Sequence, residues 1–207
     1  QELFVRWFQY GTFCPVFRCH GRRYPGDTKA PNELWAYGPE VQRICTDLIK
    51  LRYRLLPYIY TLSGKVTHEH YTPMRLLAFD FAYDRNVLDC KDQFMYGPAL
   101  LVCPVLEAGA TSRSVYLPQG CTWVDFWTGA IYQGGNTITA EAPLDKMPLF
   151  VKSGSIIPYY TSVEKNINVD VPLEIHVFGG ENASFNLYED DGETLNCLLY
   201  TSPSPRD

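Results

Sequence analysis

At 207 residues, 46% apolar and 20% charged, the chain is long enough to bury the core of one or two domains. Its formal charge of −5 gives no electrostatic pull toward nucleic acid or an anionic membrane, and no apolar run approaches the ~20 residues of a membrane span. Its 15 Tyr, 11 Phe and 4 Trp suit a large packed core first and a carbohydrate cleft second.

The first predicted element is a helix on which Leu3, Phe4, Trp7 and Phe8 recur at helical spacing, with Gly11 placed to end it. Phe13 to Cys19 follows as a short apolar run, which predicts a strand buried on both faces. A loop rich in Gly, Pro and Arg runs from Gly21 to Asn32. Val41, Ile44, Cys45, Leu48, Leu51, Leu55, Ile59 and Leu62 then mark one apolar stripe over about seven helical turns, with a kink expected at Pro57. Met74 to Phe81 is the second predicted strand. Strands alternating with helices imply parallel βα units.

After Gly97 the pattern changes to short strand-like runs, from ALLVCPVL through TWVDFWTG to PLEIHVF, divided by Gly, Pro and Asn turns. That spacing predicts an antiparallel β-sandwich. The expected division is a βα region over 1–81, a sandwich over 82–160, a linker over 161–171 and the opening of a further β domain over 172–196. Cys197 to Asp207 (CLLYTSPSPRD) breaks off from strand-like sequence and resembles the translation of a transposase sequencing adapter, so it is expected not to be native. The start lacks an initiator Met and any signal-like segment, and is expected to be a cut with any signal peptide upstream.

The cysteines at 14, 19, 45, 90, 103, 121 and 197 follow neither CxxC nor metal-ligand spacing. They read as buried thiols behaving like small hydrophobes, which favours a reducing compartment and leaves a periplasmic one open. No phosphate loop, HExxH, nucleophile elbow or dinucleotide turn is present. The sequon Asn182-Ala183-Ser184 is of a kind common by chance, and the carboxylates from Glu189 to Glu193 lack EF-hand spacing and read as a solvated turn. His68 and His70 read as helix-terminal or surface residues, and His176 as structural. Phe17-Arg18-Cys19-His20-Gly21 falls where a parallel strand ends, the position at which α/β barrels place their chemistry. On its own His20 is either a structural loop histidine or a hydrogen-bond donor to a ligand hydroxyl.

ELFVRWFQYGTFCPVFRCHG, KLRYRLLPYIYTL, DQFMYGPALLVCPVL, YLPQGCTWVDFWTG and PLFVKSGSIIP, in this order, resemble glycoside hydrolase family 31 over about residues 2–160, and LYEDDGET resembles the start of its distal domain. The resemblance implies the last two βα units of a (β/α)8 barrel, with Phe13–His20 and Met74–Phe81 as the seventh and eighth strands, then proximal and distal β-sandwiches. It implies a retaining exo-acting α-glycosidase whose two catalytic Asp lie upstream, so that no residue here is catalytic and the isolated chain is expected to be inactive. His20 matches the family's substrate-binding histidine. No metal or organic cofactor is implied, and the expected partner is an α-xyloside or α-glucoside. APNELWAYG (30–38) and KVTHEHYTPMR (65–75) resemble members that act on xylosides, which puts α-xylosidase ahead of α-glucosidase. Trp35 or Tyr37 would then exclude the glucose hydroxymethyl group by steric conflict. The rival classes are a carbohydrate-binding module presenting Trp123, Phe126 and Trp127, and a purely structural accessory domain.

Overall fold

The computed structural model describes residues 1–21, 31–164, 170–180 and 182–191. The adapter-like tail, Cys197 included, and most of the Gly21–Asn32 loop lie outside the described residues. No helix among the described residues is long and apolar enough to cross a membrane.

Helix α1 (Glu2–Thr12) runs one residue past the expected stop at Gly11. It buries Val5 and Phe8 against Val41, Ile44, Cys45 and Leu48 of α2 (Pro39–Arg54), the stripe expected from the sequence. Gly38, at φ +100, turns the chain into α2, and Pro39 occupies its first turn, where a missing N–H costs nothing. The long predicted helix is two helices. Pro57 lies in the first turn of α3 (Leu56–Glu69), and the break falls at Leu55, whose ψ is 0°. Proline lacks the donor and crowds the carbonyl four residues back. Leu55 N still reaches Leu51 O, and Ile59 N reaches Leu55 O, both at 2.9 Å, so the break costs few backbone bonds.

The rest is antiparallel sheet. One six-stranded sheet contains β1 (Met74–Leu76), β2 (Phe94–Tyr96), β3 (Leu100–Val102), β5 (Thr122–Asp125), β6 (Ile131–Gln133) and β8 (Leu149–Lys152), in the order β1-β2-β3-β8-β5-β6. Two ribbons flank it: β4 (Ser112–Leu117) with β7 (Asn136–Glu141), and β9 (Ser155–Tyr160) with β10 (Leu173–Phe178). Alternation splits the sheet's side chains between two cores. Leu101, Trp123 and Phe150 pack under the β4–β7 ribbon against Val115 and Leu117. Leu100, Val102, Leu149 and Val151 face the other way, onto Ile157 and Tyr159 of β9 and Tyr58, Ile59 and Leu62 of α3. The Tyr58 hydroxyl donates to Tyr96 O at 2.8 Å and accepts from Ala99 N at 3.3 Å, fastening α3 to the sheet inside that core. β10, expected to open a further domain, pairs with β9 from Leu173↔Tyr160 to Phe178↔Ser155.

Three expectations are corrected. Phe13–Cys19 forms no strand: Phe13 is buried, Pro15 and Val16 are exposed, and the backbone is irregular. Met74–Phe81 is a strand only over Met74–Leu76, antiparallel to β2, and then a short helix, α4 (Leu77–Asp80). A parallel barrel strand depends on parallel hydrogen-bonding neighbours on both sides, and the described residues contain no parallel neighbour for either segment. The cysteines are also not uniformly buried. Cys45 and Cys103 are buried and Cys14, Cys90 and Cys121 half-buried, but Cys19 is exposed on the irregular segment.

Candidate functional site

The segment that carries His20 leaves α1 and is fastened at its root. Phe13 meets Tyr96 edge-on in the core, with centroids 6.3 Å apart. Arg52 of α2 donates to the carbonyls of Thr12 at 2.6 Å, Cys14 at 2.8 Å and Pro15 at 3.2 Å. The Arg52 guanidinium thus takes acceptors that a sheet neighbour would otherwise satisfy. Farther along, the Phe17 ring packs edge-on to Phe8 at 4.6 Å, and a Cβ at Gly11 would meet that ring at 2.6 Å. Gly11, expected to end the helix, serves this close approach instead. Arg18, Cys19 and His20 are exposed beyond it.

A cavity of about 510 Å³ opens beside this segment, lined by Phe17, Cys19, Glu33, Trp35, Arg52 and Tyr53 among others. Trp35, in a 3-10 turn over Leu34–Tyr37, is 62% exposed and borders it. Tyr37 is differently employed. Its ring stacks on Phe4, centroids 3.9 Å apart and planes 17° apart, and its hydroxyl donates to Asn32 Oδ1 at 2.5 Å. Asn32 Nδ2 in turn donates to the His20 carbonyl at 3.4 Å. The sequence offered Trp35 and Tyr37 as equivalent candidates, and of the two Trp35 lines the cavity. Cys45 lies beneath this region, and burial, with Cys19 adding to it, pushes its thiol up to about 12, so it stays a protonated core residue.

The three rings of the binding-module alternative are engaged in packing, Trp123 fully buried and Phe126 and Trp127 half-buried. Trp123 is 0% exposed, with its indole N–H donating to Pro118 O at 2.9 Å. Trp127 donates to Met147 O at 2.8 Å and stands edge-on to Phe126 at 4.9 Å, both packed against the core. His176 pairs with Glu174 at 2.8 Å over the Tyr159 ring, a structural role. That hydrogen bond first, and Arg54 beside it, hold the Glu174 carboxyl below its ordinary range. His70 ends α3 in the left-handed region at φ 55. The acidic turn is more than solvated: Tyr60 and Tyr188 both donate to Asp190, at 2.7 and 2.8 Å. No three His, Cys, Asp or Glu among the described residues gather as metal ligands.

The sequence reading missed a second cavity, of about 570 Å³, between α1 and the β1–α4 turn. Leu3, Trp7, Leu76, Phe79 and Leu106 line it and are mostly exposed. A signal was available, because α1 is apolar on more than the face α2 covers. Its polar side is committed too. Arg6 donates to the carbonyls of Ala110, Ala142, Pro143 and Lys146 at 2.9–3.3 Å, and Gln9 to Leu144 O at 2.9 Å, clasping α1 to the sandwich.

Residues 1–62 match the model of the TIM-barrel domain of glycosyl hydrolases family 31, and residues 70–157 match that of the family's C-terminal domain. The α-xylosidase of Saccharolobus solfataricus is 43% identical over 198 residues, covering 93% of this chain and 26% of that protein. α-Glucosidase 2 of Bacillus thermoamyloliquefaciens is 36% identical, covering 94% of this chain and 24% of its own length. The crystal structure of the α-xylosidase from Xanthomonas citri superposes with a TM-score of 0.85 at 44% identity, over 92% of this chain and 21% of that one. A Flavobacterium johnsoniae dextranase complexed with glucose gives 0.83 at 38% identity, over 92% and 23%. The chain therefore spans about a quarter of the length of the relatives it matches.

Proposed function

This chain belongs to glycoside hydrolase family 31, spanning the end of its TIM barrel and the β-sandwich that follows, and on that premise we propose that it is part of a retaining α-glycosidase, an α-xylosidase in preference to an α-glucosidase. The observation that carries the reading is the pair of family matches, which run in sequence over 1–62 and 70–157.

In such an enzyme two carboxyl groups about 5 Å apart do the chemistry, one as nucleophile and one as acid and then base. They belong to the part of the barrel that this chain does not span. The isolated chain then hydrolyses nothing. Its contribution is to binding: His20 donates a hydrogen bond to a sugar hydroxyl, and Trp35 shapes the neighbouring pocket. Support for His20 comes from its place in the FRCHG segment and from its exposure beside the cavity that Cys19 lines. The preference for xylosides rests on the 43% and 44% identities to two α-xylosidases, against 36% and 38% for the α-glucosidase and the dextranase. A xyloside lacks the hydroxymethyl group of a glucoside, so a bulky ring such as Trp35 separates the two by steric conflict, worth about 1–3 kcal/mol.

Hydrolysis of 4-nitrophenyl α-xyloside and α-glucoside by the intact enzyme and by the isolated chain tests this. The expected result is a larger kcat/KM on the xyloside for the intact enzyme and no turnover by the chain alone. A glucoside preference refutes the xylosidase reading. Turnover that copurifies with the isolated chain refutes the assignment of the catalytic carboxylates elsewhere.

A further inference from the structure

His20 is followed by Gly21 at φ +97, where the missing Cβ puts little steric restraint on the peptide between them. A hydrogen-bonded relay reaches that peptide from the far side of the loop. It starts at Phe4 in α1, on which the Tyr37 ring lies flat, and Gln1 Nε2 donates to the Tyr37 carbonyl at 2.9 Å. Stacking fixes where the phenol points. Its hydroxyl donates to Asn32 Oδ1, and an amide whose oxygen is engaged in this way turns its NH2 group to the opposite side. On that side lies the His20 carbonyl, 3.4 Å from Asn32 Nδ2.

We propose that Asn32, oriented by Tyr37, is a positioning residue that fixes the His20 backbone and so aims the imidazole at the sugar. The proposal rests on His20 being a substrate contact, and it gives Tyr37 a part in catalysis through orientation rather than through exclusion of the glucose hydroxymethyl group. Asn32 reaches across twelve positions of the chain to the His20 carbonyl, so one amide holds the end of the segment. The relay is specific about chemistry. The first link needs an acceptor at position 32, and the second needs a donor there. Asparagine supplies both, alanine neither, and aspartate only the acceptor.

The test is kinetic, on the intact enzyme with whichever of 4-nitrophenyl α-xyloside or α-glucoside it turns over faster. Asn32→Ala and Asn32→Asp are each expected to lower kcat/KM about tenfold, mainly through kcat, short of the ~10²-fold that a 1 Å misplacement costs. Tyr37→Phe, which keeps the stacked ring, is expected to give a smaller loss in the same direction, with melting temperatures unchanged throughout. In a His20→Ala background Asn32→Ala is expected to lower kcat/KM no further. An Asn32→Asp enzyme as active as the wild type overturns the proposal, as does additivity with His20→Ala. A drop in melting temperature with full activity per folded molecule does the same. If His20→Ala itself leaves kcat/KM unchanged, the reading of His20 fails and takes this inference with it. If His20→Ala is impaired and the Asn32 variants are not, this inference fails alone.

Discussion

The two halves of the chain treat their backbone differently. Every strand of the sandwich finds its neighbours within about 50 residues, and the six-stranded sheet is covered on one face by the β4–β7 ribbon and on the other by β9 together with α3. In the barrel half the helices form and pack, whereas the segments between them do not become barrel strands. A helix closes its hydrogen bonds four residues away, so it needs only its own sequence and one apolar face to rest against. A parallel strand needs neighbours supplied by other βα units. The apolar cavity between α1 and β1–α4 repeats the lesson at the level of side chains, since Leu3 and Trp7 stand exposed on a helix otherwise fully committed.

The comparison breaks first if core and segment respond alike to truncation. Trp123→Ala empties the centre of the sandwich and removes an indole N–H bond to Pro118 O, so it is expected to cost about 3–5 kcal/mol in urea denaturation of the isolated chain. Val16→Ala removes an apolar side chain that is 82% exposed, and is expected to change stability by less than about 0.5 kcal/mol. Similar losses at the two positions would mean that the irregular segment is part of a core.

A smaller effect sharpens the account of the sandwich. Asp84 is buried; burial alone would raise its pKa, but hydrogen bonds from Gln119 N–H, the Tyr116 hydroxyl and Asn86 N–H outweigh it and hold the carboxyl below its ordinary value of 3.8. A carboxyl with a depressed folded pKa stabilises fully above its unfolded value, and that contribution drains away as pH falls through the folded one. Denaturation midpoints are therefore expected to decline below the ordinary carboxyl value of 3.8, and Asp84→Asn to remove part of that decline. At neutral pH the same variant is expected to lose about 1–3 kcal/mol. An Asn variant with an unchanged acid limb would show that the loop around Asp84 does not report on folding.

What the sequence made legible follows the same division. The short strand-like runs after Gly97 placed Val115, Leu117, Leu149 and Val151 in strands that formed, because both partners of each pair lie in the chain. The helical stripe from Val41 to Leu62 also held, with Pro57 breaking it where ring and missing donor require. The buried-strand reading of Phe13–Cys19 came from composition alone, and composition does not say whether neighbours are at hand. At the candidate site, motif and chemistry named His20, and Trp35 or Tyr37, as proposed contacts. The separation of Trp35 from Tyr37 was not legible, because it depends on Phe4, thirty-three residues before Tyr37, lying flat against one ring. Nor was the Asn32 link to the His20 carbonyl, which joins residues twelve positions apart.

Amide hydrogen exchange, read residue by residue on the isolated chain and on the intact enzyme, tests the division most directly. The amides of Leu101, Val124 and Val151, on paired strands inside the sandwich, are expected to exchange slowly and at the same rate in both. The amides of residues 16–20 are expected to exchange quickly in the isolated chain and to become protected in the intact enzyme, where the other barrel strands accompany them. Slow exchange of residues 16–20 in the isolated chain, or fast exchange in the intact enzyme, would contradict the account.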